Sequence, residues 1–480
     1  MPGGGLMQLV AYGAQDAYLT GQPKVTFFQS VYKRHTNFAM ETSQQTVSGA
    51  IGNGSLVSVT LARTGDLVGD MFVALTPINT SASQLTTNNV GVDTCWMAER
   101  AFNTVELFIG GQSIDKHYQQ WFRLYAEVFL NETKKVNYGK LTSMAAPNNT
   151  NQTSTAQVFL PLLFFFNRNP GLYLPLIALQ YHEVRIDFTL ASNYSSYFGS
   201  NPPAVWANYM YLDTTERERY AKGSHEYLIE QVQHVAGDPV GSTNENSPSV
   251  IRLQYNHPVK ELIWCYQDPT PGTNRNAMWN FSSSTSNVEV TVDVQKIAAS
   301  GGFLEPHKTG SPVLYIPPIL SSNLTVVSNV TYVTSNIAPG SNVQLQSNVV
   351  AGASLWVEGG LPVLSSNVLY GQEVGPLHKF KLMLNGTDRF VEQSGKYFNQ
   401  YQPYQYHEGS PYPGIYVYSF ALKPGELQPS GTCNFSRIDM AQTSVYLKTG
   451  MPSNILQQMF AVNYNVFKVA SGMGGVVFSN

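Results

Sequence analysis

Three His-Glu neighbours are the most reactive-looking pairs in this 480-residue chain: His182-Glu183, His225-Glu226 and His407-Glu408. A metalloprotease-type zinc face needs a second His four residues on, one helical turn away, and none of the three has it. His35, His117, His234, His257, His307 and His378 stand singly. A metal site on a β-sandwich would need histidines clustered with a carboxylate on adjacent strands. The glycine runs Gly3-Gly4-Gly5, Gly301-Gly302 and Gly472 to Gly475 do not continue into a phosphate-binding GK[ST] or GxGxxG pattern, and no GxSxG elbow occurs. Paired carboxylates for glycoside hydrolysis need only meet in space, but acidic residues this sparse argue against them. No catalytic residue, metal site or cofactor is expected.

Two tripeptides repeat: Arg185-Ile186-Asp187 and Arg437-Ile438-Asp439. Side chains at i and i+2 of a strand share a face, so each Arg/Asp pair is expected to make an internal ion pair or a sheet-edge contact. Cys95, Cys265 and Cys433 are odd in number and far apart, which gives neither a disulfide framework nor zinc spacing and fits a reducing compartment. Asn-x-Ser/Thr sequons are numerous, as an Asn-, Ser- and Thr-rich chain produces by chance. The candidate glycosylation sites are those in long polar loops: Asn148, Asn151, Asn280, Asn323 and Asn329.

The elements that carry these residues are mostly short strands. Leu56 to Ala62 alternates apolar and polar with the period of a half-buried strand. Thr104 to Ile109 ends at Gly110-Gly111, and Phe380 to Leu384 ends at Asn385-Gly386; both endings accept the positive φ of a tight hairpin. Gln119 to Leu130 reads as a helix with Trp121, Leu124, Tyr125, Val128 and Phe129 on one apolar stripe, a core-packing pattern. Val259 to Tyr266 reads as a strongly buried strand. At Asp213, with Glu216 three residues on, a capping box predicts a short polar helix halted by Gly223, and the strand pattern restarts at Glu226. The junction is therefore placed near residue 220.

The stretch Gly171 to Leu190 is echoed by Gly414 to Ala441. Each opens on Gly, carries a tyrosine-bearing apolar run and closes on the repeated tripeptide, the second copy re-entering a strand at Asn434. The hairpin signal precedes the motif both times, so two landmarks recur in one order. Many short strands without a βαβ rhythm predict an all-β protein: two tandem eight-stranded antiparallel jelly rolls, with short helices and long loop insertions. The expected domains are an N-terminal arm (1–24), a first jelly roll (25–220) and a second jelly roll with long surface loops (221–480). Gly414 to Ala441 would supply the closing strands of the second.

Charged residues are 12% of the chain, about half the usual share, against a near-ordinary 43% hydrophobic. A protein with so little charge is expected to have much of its surface covered by neighbours. With a net charge of −3 and no basic run, no direct nucleic-acid contact is expected. The most apolar stretch, Val158 to Phe166, is far short of the ~20 residues of a membrane span and contains Pro161. The N-terminus lacks a cationic leader pattern, so a soluble chain is expected.

Residues 3–42, GGGLMQLVAYGAQDAYLTGQPKVTFFQSVYKRHTNFAMET, resemble the N-terminal signature of major capsid proteins of nucleocytoplasmic large double-stranded DNA viruses. SHEYLIEQVQ (224–233), YHEVRI (181–186), IYVYSFAL (415–422) and QPSGTCNFSRID (428–439) resemble further blocks of that family, in its order. Met440 departs from the Asn that often follows the tripeptide, and 306–374 matches least. The resemblance implies a double jelly roll, a homotrimer forming a pseudo-hexagonal capsomer, and neighbouring capsomers in an icosahedral virion shell assembled in the host cell cytoplasm. It also implies an arm (1–24) on the inner face, touching minor capsid proteins or the internal membrane layer, and loops 142–156, 268–287 and 306–374 on the outer face. A jelly-roll glycan-binding or host-attachment protein is the alternative; it would need neither two matching rolls nor a buried arm.

Overall fold

The computed structural model describes residues 3–78, 96–142, 157–235, 237–240, 245–267, 375–409, 411, 414–449, 451 and 455–478, together with the backbone of short strands between 288 and 359. By contacts the chain divides into Met1–Phe38 and Ala39–Asn480. The first unit holds two seven-residue helices, Gly4–Val10 and Ala14–Thr20. Asp16 starts the second of these by accepting from the Gly13 N–H at 2.8 Å, satisfying one of the amides that a helix N-terminus leaves open.

Ten strands build the first sandwich: β1 Phe38–Gln45, β2 Val47–Ser48, β3 Leu56–Thr60, β4 Leu67–Leu75, β5 Phe102–Ile109, β6 Gln112–Tyr118, β7 Val158–Pro161, β8 Leu174–Pro175, β9 Val184–Leu190 and β10 Ala204–Leu212. They form one sheet in the order β1-β10-β4-β7, with β8 on β4, and a second in the order β2-β3-β9-β5-β6. The second sandwich begins with β11 His225–His234, β12 Asp238–Pro239, β13 Ser249–Leu253 and β14 Pro258–Gln267. An insertion then supplies β15 Val288–Val292, β16 Leu304–Pro306, β17 Pro312–Ile316, β18 Leu324–Ser328, β19 Tyr332–Ser335, β20 Asn342–Gln346 and β21 Ala351–Gly359. The sandwich resumes with β22 Leu377–Leu384, β23 Thr387–Asp388, β24 Gln393–Ser394, β25 Ile415–Ser419, β26 Cys433–Asn434, β27 Ala441–Leu447, β28 Leu456–Ala470 and β29 Met473–Val476. Its sheets run β11-β28-β14-β25 and β13-β27-β22-β23. In both sandwiches, therefore, the opening strand pairs with a strand from the end of the unit, and that strand pairs with an early one.

The insertion is not wholly antiparallel. β15 pairs with β18, and β17 with β21, in parallel. Parallel partners need a long crossover, and this insertion is long enough to provide one.

Both predicted hairpins form on left-handed turn residues: Gly110 and Gly111 at φ 59° and 82°, Asn385 and Gly386 at 49° and 77°. The helix Gln119–Phe129 also forms. The helix Thr214–Lys222 lies behind Asp213 and ends at Gly223, but its capping box does not close. Asp213 uses only its backbone carbonyl, which accepts from Arg217 N–H at 2.8 Å. The carboxylate that engages this helix is Asp66, 2.9 Å from Arg217 Nε.

The repeated tripeptide takes two different structures. Arg185 and Asp187 lie on β9 and form the expected ion pair at 3.0 Å. Arg437 instead ends a 3₁₀ turn, Phe435–Arg437, and Asp439 lies exposed before β27, with no ion pair between them among the described residues. The turn is held by the Asn434 side chain, which accepts from Ser436 N–H at 3.1 Å. Gly414 to Ala441 is also not the closing segment, because β27, β28 and β29 complete the sandwich after it.

Candidate functional site: the buried seam between the two sandwiches

Strand β14 carries an unbroken apolar run from Leu262 to Tyr266 because both of its faces are covered there. Leu262, Trp264 and Tyr266 point into the second sandwich's own core, while Ile263 and Cys265 belong to the core of the first. β28 divides the same way, with Met459 and Ala461 inward and Phe460 and Val462 outward, as does β25 with Tyr416 and Tyr418 against Ile415 and Val417. Period-two alternation thus serves two cores, and a strand covered on both faces has no polar side to show.

The covering partner is the helix Gln119–Phe129 and the segment around it. Trp121 packs its ring 5.5 Å from Phe460, and Phe165 lies 5.7 Å from Phe467. His234 stacks on Phe460 at 4.3 Å and meets Tyr118 edge-on at 4.7 Å. Burial lowers the His234 pKa, although its ring nitrogen is 3.0 Å from the Met459 carbonyl, which opposes the shift. The approach is close. A Cβ on Gly409 would lie 2.5 Å from the Val128 carbonyl oxygen, so that position excludes any larger residue.

The polar groups sealed in the seam are the least foreseeable part of the molecule. Glu230 on β11 takes two cations: Lys260 of β14 at 2.5 Å and Arg168 of the first sandwich at 3.0 Å. Lys260 also donates to the Pro424 carbonyl at 2.7 Å. Glu261, fully buried, lies 3.1 Å from His407 Nε2 and 3.9 Å from Lys260. Asp115 of β6 pairs with His117 at 2.9 Å, and its carboxylate accepts from the Val232 N–H of β11 at 3.0 Å, a bond that ties one sandwich to the other. A second ionic cluster stands behind the helix. Arg123 lies 3.5 Å above the Trp96 ring, 2.8 Å from Glu127 and 3.5 Å from Glu99. Burial raises the Glu99 pKa against the pull of Arg123, and Tyr138 donates to it at 2.8 Å.

Sequence reading singled out His407 only for its neighbour Glu408, which is exposed; its actual partner is Glu261, distant in the chain. His182 turns to the Gly474 carbonyl at 2.9 Å, and His225 to that of Tyr220 at 2.8 Å. Arg123, Glu127, Glu230 and Lys260 were missed. Their one sequence signal was a charged residue inside an otherwise apolar stripe. The side chains of Lys260, Glu261 and His407 are closed to solvent, 2%, 0% and 1% exposed. Among the described residues no group of His, Cys, Asp and Glu could hold a metal ion. Cys265 is buried and free, and Cys433 is half-buried and free. The loop candidates Asn148, Asn151, Asn280, Asn323 and Asn329 lie outside the described residues. Other sequon asparagines serve the backbone: Asn53, Asn131, Asn385 and Asn434 each accept a hydrogen bond from a nearby N–H.

Two sandwiches are thus fused through a seam whose charged side chains are closed in by packing rather than presented in an open cleft. Residues 216–475 match the family of large eukaryotic DNA virus major capsid proteins, and residues 26–213 match the major capsid protein N-terminus. The chain belongs to that family and is a structural capsid protein of an icosahedral large DNA virus. It is 38% identical to the major capsid protein of Paramecium bursaria Chlorella virus 1 over 509 residues, covering 99% of this chain and all of that one. Against the major capsid protein of Phaeocystis pouchetii virus identity is 36%, with 99% and 100% covered. A chain of the PBCV-1 virus capsid superposes with a TM-score of 0.68 at 35% identity, covering 95% of this chain and 100% of that one. The Faustovirus major capsid protein shares the fold, with a TM-score of 0.62 at 13% identity and 96% and 94% covered. The overall fold is thus that of the double jelly-roll capsid proteins, and the protein belongs to the virion.

Proposed function

We propose that each sandwich is an eight-stranded jelly roll and that three copies of the chain form a pseudo-hexagonal capsomer that tiles an icosahedral facet. The observation that carries this is the repeated strand order: β1-β10-β4-β7 recurs as β11-β28-β14-β25, and β3-β9-β5-β6 as β13-β27-β22-β23. Two like wedges per chain and three chains give six like wedges, the footprint that packs a plane without gaps. We divide the chain into an arm (1–24), a first roll (25–220) and a second roll (221–480); the helix Thr214–Lys222 between β10 and β11 supports a junction there.

The arm is assigned to contacts with minor capsid proteins or the internal membrane layer. Leu6, Leu9, Val10, Tyr18 and Leu19 are all at least 70% exposed, which leaves their apolar surface open to a partner. Loops 142–156, 268–287 and 306–374 are assigned to the outer face, with Asn148, Asn151, Asn280, Asn323 and Asn329 as candidate glycan carriers, and assembly to the host cytoplasm. No nucleic-acid contact is assigned. Light-scattering mass of the purified chain, with particle images, tests the core of this reading. A trimer of hexagonal outline supports it, and a clean monomer overturns it. Deleting 1–24 is expected to leave trimers intact and impair shell assembly; loss of the trimer would refute the arm's assignment. Intact-mass spectrometry of virion protein tests the asparagines.

A further inference from the structure

Within the chain, one seam already shows how a roll docks on the next. The helix Gln119–Phe129, which lies between β6 and β7, covers the outward face of the β11-β28-β14-β25 sheet. Its anchor is Trp121 on Phe460, whose strand partner across the sheet is Ile263. Phe460 and Ile263 have no solvent exposure.

Among the described residues, each half of this arrangement recurs without its counterpart. In the first sandwich the corresponding central strands present Trp206, paired with Phe72 across β10 and β4. The two rings stack at 6.4 Å and 9°, and Phe159 of β7 meets Phe72 edge-on at 5.5 Å. All three rings are only half-buried. Beside them Asp70 accepts from Asn208 at 2.5 Å and from Tyr173 at 3.0 Å, with no cation paired to it among the described residues. In the second sandwich the position between β24 and β25 holds two helical turns, Tyr397–Tyr401 and Gln402–Tyr406. Phe398, Gln402 and Pro403 face inward, while Tyr401 and Tyr404 are 53% and 84% exposed.

We propose that the outward face carrying Phe72, Phe159 and Trp206 is the seat for the helical turns Tyr397–Tyr401 and Gln402–Tyr406 of a second copy of this chain. The proposal rests on the trimeric reading and specifies its contact. The occupant follows from the repeat: the first roll docks on the second through a helix-on-sheet seam, and the second roll carries the same helix at the same place in its strand order. Seat and helix are different patches, so the contact is head-to-tail and continues until a ring closes. In a closed trimer the seam occurs six times, three times within chains and three times between them. The chemistry suits this: the exposed Tyr401, Tyr404 and Gln405 bring apolar faces for the rings and hydroxyl and amide donors for Asp70.

The test uses the full chain. Trp206→Glu and Tyr404→Glu are each expected to reduce the light-scattering mass from that of a trimer to that of one copy. Tyr404 is so exposed that its replacement leaves the fold alone, so circular dichroism and the monomer's unfolding transition should be unchanged. Coexpressed Trp206→Cys and Tyr404→Cys chains should crosslink with a short bismaleimide, whereas neither should do so by itself. A wild-type trimer whose Tyr404→Glu and Trp206→Glu variants both remain trimeric, without the crosslink, overturns this seat and leaves the trimer standing. A monomeric wild type overturns the trimeric reading itself.

Discussion

Phe460 and Trp206 sit on equivalent strands of two sandwiches with one plan, yet one ring is sealed and the other half open. The second sandwich has its opening-strand sheet roofed by a helix from the first, with Lys260, Glu230 and Glu261 closed in beneath. The equivalent sheet of the first has an aromatic face and a carboxylate, Asp70, that waters can reach. A repeated strand order thus leads to different burial because neighbours, not the strands themselves, finish each face.

The hardest blow to this contrast is to remove the sealed cation. Lys260→Met leaves Glu261 with His407 alone and strips Glu230 of one partner, so stability is expected to fall by about 3–5 kcal/mol. Urea denaturation followed by tryptophan fluorescence would show it, and an unchanged midpoint would mean that water enters the seam. Nearly as large is the direct comparison of rings in monomeric protein. Phe460→Ala should cost about 3–5 kcal/mol by leaving a cavity, and Trp206→Ala about 1 kcal/mol, because only part of its surface leaves water. Equal losses in the two variants would erase the difference between the faces.

A smaller effect concerns pH. Burial depresses the His234 pKa below its ordinary 6.5, so the folded chain binds fewer protons there than the unfolded chain does. Its contribution is therefore present above pH 6.5 and lost as pH falls through the depressed value. Replacing His234 with Phe should flatten the melting temperature over that window; a profile identical to wild type would place the ring in water. The least effect is expected at Lys222, paired with Glu218 at 3.0 Å but 77% exposed. Lys222→Ala should change stability by under about 0.5 kcal/mol, fading with salt. A larger change in a salt titration would show that this helix is covered too.

Local rules carried the reading of the elements a long way. The helix Gln119–Phe129, both I′ turns and the strand at Val259 to Tyr266 follow from short-range periodicity and from backbone angles that Gly and Asn tolerate, so one stretch of residues contains the whole cause. The capping box did not close, and the carboxylate that engages the helix, Asp66 on Arg217, lies far back in the chain, where a local pattern does not look. The tripeptide misled for a similar reason. Arg185 and Asp187 meet because β5 and β3 hold β9 extended on both edges, whereas at Arg437 the Asn434 side chain coils the backbone into a turn.

Composition and block order by themselves determined the class: a sparsely charged, strand-rich capsid protein with two related halves, since family and patterning are properties of residues in line. Only the tertiary structure decided which sheet is covered twice, that His407 answers Glu261 rather than Glu408, and that buried Glu230 takes both buried Lys260 and the more exposed Arg168. Burial and pairing are set by what packs above a strand, and in this chain what packs there comes from the other sandwich.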